Sequence, residues 1–135
     1  MPKTNNITFN GESFINFTDH HVIIFNSHKE VILELPPSGI EARIAFVKKP
    51  GGLIGNIPSF TRQGGNLLFY KNHKVMQFQD MKRIIGNSWP IVSNLCGMKT
   101  KLFFGKAISP DSDMQVSDYY KGNKKIRGVQ GFILY

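Results

Sequence analysis

The residue types able to do chemistry in this chain are cations mixed with flat aromatic rings. Residues 46–108 hold ten basic groups, Lys48, Lys49, Arg62, Lys71, Lys74, Lys82, Arg83, Lys99, Lys101 and Lys106, against the single acid Asp80. Such a field attracts phosphates and other polyanions at long range. Phe60, Phe69, Tyr70, Trp89, Phe103 and Phe104 lie among those cations. A nucleotide ligand calls for this pairing, because a base stacks on a ring while a phosphate pairs with cations. Arginine presents a planar fork of donors that meets phosphate oxygens two at a time. Arg62, Arg83 and, near the end of the chain, Arg127 are therefore the candidate phosphate ligands. Tyr70 and Trp89, amphipathic and next to loops, are the candidate stacking rings, whereas Phe69, Phe103 and Phe104 suit a core as well as a pocket.

Other chemistries fit the residues less well. His20, His21 and His28 fall close together, but neighbours on a strand point to opposite faces, and no cysteine pair or HExxH helix accompanies them. No metal site is expected, and His20 reads as a structural residue beside Thr18. Asp111-Ser112-Asp113 with Asp118 lacks the glycine and the closing acid of a calcium loop, and reads as a turn capped by Asp side chains. Pro50-Gly51-Gly52-Leu53-Ile54-Gly55 is neither a P-loop nor a dinucleotide fingerprint, and reads as a mobile loop beside Lys48 and Lys49. The scarcity of acids in the basic segment argues against paired-carboxylate and two-metal hydrolysis. Cys96 is the single cysteine, so no internal disulfide forms and a reducing compartment is implied. It reads as a small buried residue rather than a nucleophile.

The elements that must position these groups follow from patterning. At 135 residues, 41% hydrophobic and with 11 phenylalanines, the chain reads as one domain, 1–135, with a phenylalanine-rich core. Its first six or so residues are expected to be flexible. No run has the length of a membrane span or the form of a signal peptide, so a soluble intracellular protein is expected. Ile7–Phe9 and Phe14–Phe17 read as strands around the turn pair Asn10-Gly11. His21–Phe25 and Val31–Leu35 read as strands joined at residues 26–30, with Val31, Leu33 and Leu35 on one face. Pro36-Pro37 ends that pairing, and Ile40–Val47 resumes β character.

The pattern next predicts a flexible break at Lys48–Gly52 and little regular structure from Gly55 to Gly65. A hairpin of Leu67–Tyr70 with Val75–Phe78 follows, then a helix start over Met81–Ile85 stopped by Gly86. Ser88 is placed to cap, and Trp89-Pro90 to open, a main helix over Pro90–Met98 that buries Ile91, Val92 and Leu95. Leu102–Phe104 reads as a strand, and Ile126–Leu134, after a turn at Gly122-Asn123, as the closing strand. The sum is an α+β fold: a mostly antiparallel β domain with one or two short helices.

Several short motifs carry a family resemblance. Ile15-Asn16-Phe17-Thr18-Asp19-His20 resembles the I-N-L-T-P-H start of small proteins carried by phages and prophages. Leu35-Pro36-Pro37-Ser38-Gly39 is similar to their I-P-P-S-G corner, and Ala42-Arg43 to the A-R pair beyond it. Trp89-Pro90-Ile91-Val92-Ser93 resembles the Y-I-V-S stretch that opens the family's main helix. Pro110-Asp111 and Lys125–Phe132 are similar to the family's closing D-E-N-G-x-I-I-G-V-x-G-L region. Asp19 stands in place of the family's proline, the central G-L-P turn is not identifiable, and Lys99–Lys106 replaces an R-x-D-L stretch. The resemblance extends to the phage Thoeris anti-defence proteins of the first type. These small oligomeric proteins sequester cyclic ADP-ribose-like and cyclic oligonucleotide signals without cleaving them.

The resemblance implies a phage-type protein in the host cytoplasm that counteracts host defence. Together with the residues it points to a non-enzymatic binding protein, with no cofactor, that holds a small phosphorylated, cyclic nucleotide-like ligand. Arg62, Arg83 and Arg127 would hold phosphate, Tyr70 and Trp89 would stack the base, and neighbouring subunits of a homo-oligomer could complete the pocket. The alternative is a basic single-stranded nucleic-acid-binding or virion-associated structural protein using the whole positive segment. An enzyme acting on a phosphorylated substrate and a partner-blocking surface protein are further alternatives.

Overall fold

The structure is a computed structural model that describes residues 6–135, with the side chains of residues 117–121 and 124–125 outside the description. The N-terminal stretch expected to be flexible lies outside the described residues up to residue 5, as does the side chain of Asp118. β1 (Ile7–Phe9) and β2 (Glu12–Asn16) form a hairpin whose turn residues, Asn10 and Gly11, both have positive φ. That is the backbone a two-residue turn of the right twist requires. β3 (Val22–Phe25) and β4 (Val31–Leu35) pair antiparallel, with Ile32 as an extra bulged residue. β5 (Ile40–Ile54) and β6 (Ile57–Lys71) form a long hairpin, and β7 (Lys74–Val75) folds back on β6 across Asn72-His73. Then follow α1 (Phe78–Ile85), β8 (Trp89–Ile91), α2 (Asn94–Phe104) and β9 (Ile108–Pro110). A single 3-10 turn at Ser112–Met114 leads into β10 (Gln115–Lys121), β11 (Lys124–Val129) and β12 (Phe132–Leu134).

The strands form three sheets, ordered β1-β2-β8-β9-β12, β10-β11-β3-β4 and β5-β6-β7. Most pairings are antiparallel; β2–β8, β8–β9 and β11–β3 are parallel. The architecture is thus α+β, rich in antiparallel β structure, with two short helices. Alternation along the five-stranded sheet serves two cores. Ile15, Phe17, Val92 and Ala107 meet Ile40, Phe69, Met81, Ile85 and Cys96 from the hairpin base and the helices. Ile91 and Ile108 meet Val22, Ile24, Leu33, Leu35 and Val129 of the four-stranded sheet. Phenylalanines knit the first core: Phe17 is edge-on to Phe69 at 5.4 Å, and Phe104 is edge-on to Phe69 and stacked on Phe78.

A buried polar residue ties the layers. Asn16, 1% exposed, donates from Nδ2 to the carbonyls of His20 (2.9 Å) and Leu35 (3.0 Å). Its Oδ1 accepts from the Thr18 backbone N–H (2.9 Å) and hydroxyl (2.6 Å). Its own carbonyl accepts from Ser38 N–H, just past the double proline.

Several local expectations need correction. Residues 48–65 are not a break: they are the outer part of the β5–β6 hairpin, which turns only at Gly55-Asn56. The glycines fit because one register shift sets Gly64 and Gly65, both at positive φ, against the single residue Phe46, and the other takes up Gly51 as an extra residue. Pro50 and Pro58 are tolerated because each strand pairs on one side only there. Val75 pairs as expected, but Phe78 opens α1 rather than ending a strand.

Trp89–Ile91 is not the first turn of a helix but a strand slotted between β2 and β9. The helix starts at Asn94, with Ser93 rather than Ser88 at its N-cap. The later start rotates its buried face to Cys96, Gly97 and Thr100, leaving Leu95 67% exposed. Leu102–Phe104 ends that helix instead of forming a strand, held by the Phe104 contacts. The closing strand is split at residues 130–131, so that β11 joins one sheet and β12 another.

Asn16→Ala strands several buried hydrogen-bonding groups at once. It should lower unfolding stability by about 2–4 kcal/mol, read as a drop in the urea midpoint at unchanged slope. A loss within ordinary surface-mutation range, about 0.5 kcal/mol, would show that these bonds do not hold the layers.

Candidate functional site

Where the two large sheets meet the start of α2, the chain leaves a cleft of about 320 Å³, near the lower end for small-molecule sites. Its walls come from five segments: His20–Ile23 leading into β3, Ser93 and Asn94 at the start of α2, Pro110 and Ser112, Gln115, and Arg127–Val129 of β11. Parallel pairing of Val129 with Ile24 brings β11 beside β3 and so sets Arg127 near the histidines. Gly128 makes that approach possible, since a Cβ there would lie 2.4 Å from the Phe25 ring and 2.5 Å from the Ile23 carbonyl.

Among the described side chains, Arg127 is the fixed charge of this cleft and no carboxylate lines it. Ser93, Asn94, Ser112 and Gln115 add neutral polar groups, while Val22, Ile23, Pro110 and Val129 give an apolar wall. The first turn of α2 holds no acidic residue and Ser93 makes no side-chain cap, so the positive end of the helix is not neutralised from within. The arrangement can take an anionic group at Arg127 and a flat or apolar portion against the wall.

A second cleft, about 270 Å³, adjoins the first through His20 and Ser93. It is lined by Thr18, Asp19, Glu41, Ala42, Arg43 and Cys96 among others. Here charges are paired: Glu41 holds Arg43, and His20 Nδ1 donates to Asp19 at 3.0 Å. The hydrogen bond from His20 is the chief cause that holds the Asp19 carboxyl below its ordinary value. Cys96 is 1% exposed, and burial pushes its thiol up, the opposite of what a nucleophilic thiolate needs.

The five expected ligand residues are not gathered in one place. Arg127 lines the first cleft. Arg62 lies on the exposed outer hairpin, with its guanidinium 5.3 Å from the Phe46 ring centre. Tyr70 stands near the hairpin base in register with Glu41 and Val75. Arg83 on α1 pairs with Asp80. Trp89 donates from its indole to Glu12 (2.9 Å) and carries the Lys106 ammonium 4.7 Å from its ring centre.

Phe69 belongs to the core, whereas Phe103 is 45% exposed. His20 and His21 precede β3 instead of alternating along it, and both line the first cleft. The structural role foreseen for His20 falls to its carbonyl, which accepts from Asn16 and Thr18. Asp111 caps the 3-10 turn by accepting from Asp113 N–H. Among the described residues, no three of His, Cys, Asp and Glu stand together as a metal set. No helix of the described residues is long and apolar enough to cross a membrane.

Sequence reasoning passed over His20, His21, Ser93 and Asn94 as ligand groups. The signal that could have found them was the motif set itself. Thr18-Asp19-His20, Ala42-Arg43, Ser93, Pro110 and Arg127-Gly128-Val129, far apart in the chain, all line these two clefts. Against known proteins, the chain matches no family model, no curated protein and no solved structure.

Cys96 should resist alkylation in the native protein and react only as the chain unfolds. Its folded thiol ionises above its ordinary value of 9.0, so the unfolded state loses the proton first. Stability should therefore fall as the pH rises through that value. Labelling at the free-thiol rate in native buffer would contradict the burial.

Proposed function

We propose that the protein is a non-enzymatic binding protein that captures a small phosphorylated ligand of the cyclic nucleotide type in the first cleft. The observation that carries this reading is the described lining: Arg127, His20, His21 and four neutral polar side chains, with an apolar wall and, among the described side chains, no carboxylate. A phosphoryl group would sit on Arg127 and the start of α2, with the base or sugar against Val22, Ile23 and Val129. The buried, protonated Cys96 thiol supports binding over covalent catalysis.

The resemblance to phage anti-defence proteins supports the same reading, because the motifs that carry it border these clefts. On that resemblance the protein acts as a phage product in the host cytoplasm, withholding a defence signal by sequestering it intact. Arg62, Tyr70, Arg83 and Trp89 fall outside this proposal, since Arg83 and Trp89 are engaged with Asp80 and Glu12 and Arg62 stands on the outer hairpin.

Calorimetric titration with cyclic ADP-ribose and cyclic dinucleotides should show stoichiometric binding of one signal, recovered unchanged by mass spectrometry. Arg127→Ala removes a charge-assisted hydrogen bond of about 1.5–3 kcal/mol and should weaken binding about tenfold to a hundredfold. Its melting temperature should stay near wild type, because Arg127 is exposed. No binding by wild type, or equal binding by Arg127→Ala, would refute the site. A cleaved ligand would refute the non-enzymatic reading.

A further inference from the structure

The outer part of the β5–β6 hairpin, residues 46–64, is exposed along nearly its whole length. At about 3.4 Å per residue it reaches about 30 Å from Phe46 to its turn. A two-stranded ribbon alone is marginal in water, and this one leaves Leu53, Ile54 and Ile57 each about 70% exposed. The register sets Pro50 and Phe60, and Leu53 and Pro58, on one face. Ile54 and Ile57 lie on the other, with Val47 further down the ribbon. Apolar groups at the tip call for a partner surface that covers them. Its cations are confined to the shaft, at Lys48, Lys49 and Arg62, and residues 50–61 carry no charge. A phosphate backbone would have nothing to pair with along that tip, so the chemistry favours a protein surface over a polyanion.

The complementary surface is on the same chain. β4 is the outermost strand of its sheet, and its bulged Ile32 is 40% exposed between the exposed Glu30 and Glu34. Among the described residues, Glu12, Asp19, Glu41 and Asp80 are each held by a side-chain partner. Glu30 and Glu34 have no cation, and Lys48 and Lys49 have no carboxylate, among the described residues. The bulge blunts β4 for ladder pairing, so contact would run through side chains.

We propose that the ribbon of one copy docks on the β4 face of a second copy of this chain. Lys48, Lys49 and Arg62 meet Glu30 and Glu34, and the apolar tip runs past Ile32 onto the second molecule. Exchanged reciprocally, these contacts close a two-fold dimer; passed onward, they close a ring.

Sedimentation equilibrium of the full chain tests this with substitutions confined to exposed residues, circular dichroism confirming the fold of each. Wild type should exceed the monomer mass, and Ile54→Asn with Ile57→Asn should reduce it to monomer. Glu30→Lys with Glu34→Lys should weaken association by about tenfold or more. Adding Lys48→Glu and Lys49→Glu to that variant should restore association. A monomeric wild type, acid-reversed or tip variants that assemble like wild type, or failure of the charge exchange to restore assembly would each overturn the proposal. A monomer whose ribbon binds a single-stranded oligonucleotide would overturn it and assign the ribbon to nucleic acid.

Discussion

Asn16 makes four side-chain hydrogen bonds in a fully buried setting, and the geometry around both clefts depends on them. An amide buried without partners would be costly, so satisfying both its oxygen and its nitrogen fixes the chain around it in one arrangement. Two of those bonds go to Thr18 and one to the His20 carbonyl, which shapes the bend that carries Thr18, Asp19 and His20 to the cleft walls. The fourth reaches Leu35 at the end of β4, just before the double proline turns the chain toward β5. β2 is paired with β8 at the same residue, Asn16 opposite Ile91. One side chain thus links the start of the hairpin, the four-stranded sheet and the strand that leads into α2.

The rest of the site follows from that frame. β8 leads through the buried Val92, whose N–H donates to the Ile108 carbonyl and whose carbonyl accepts from the Ser109 hydroxyl, and so sets Ser93 at the wall of both clefts. β11 can approach β3 closely only because Gly128 lacks a side chain. The two clefts share a wall but differ in electrostatics. In the second, Glu41 pairs with Arg43 and Asp19 with His20, whereas in the first no acid among the described side chains lines the cleft beside Arg127. An anion gains more from an uncompensated cation in a partly enclosed cleft than from a paired one.

Much of the β framework was legible in the sequence. Asn10-Gly11 and the loop at 26–30 marked hairpins, and Gly122-Asn123 a turn, because their residues suit turn geometry directly, although β10 on the near side of that last turn was not foreseen. What was not legible depended on tertiary context. The glycines and prolines of residues 50–65 look like loop punctuation, yet bulges and one-sided pairing accommodate them in strands. Trp89-Pro90 suits a helix start locally, but the slot between β2 and β9 makes it a strand. The make-up of the first cleft was hidden for a related reason. Cation and aromatic content pointed to Arg62, Arg83 and Trp89, whose side chains are engaged with Phe46, Asp80 and Glu12. Arg127, singled out by its chemistry, lines the first cleft with His20, Ser93 and Asn94, which come together only through long-range pairing.

The most direct measurement is backbone amide chemical-shift mapping by NMR on the isotopically labelled protein during addition of a cyclic nucleotide. The account predicts that the largest shifts fall on His20, His21, Ser93, Asn94, Arg127 and Gly128, leaving Arg83 and Trp89 unmoved. Shifts centred on Arg83 and Trp89, or along the ribbon at Lys48 and Arg62, would contradict the placement of the ligand in the Arg127 cleft.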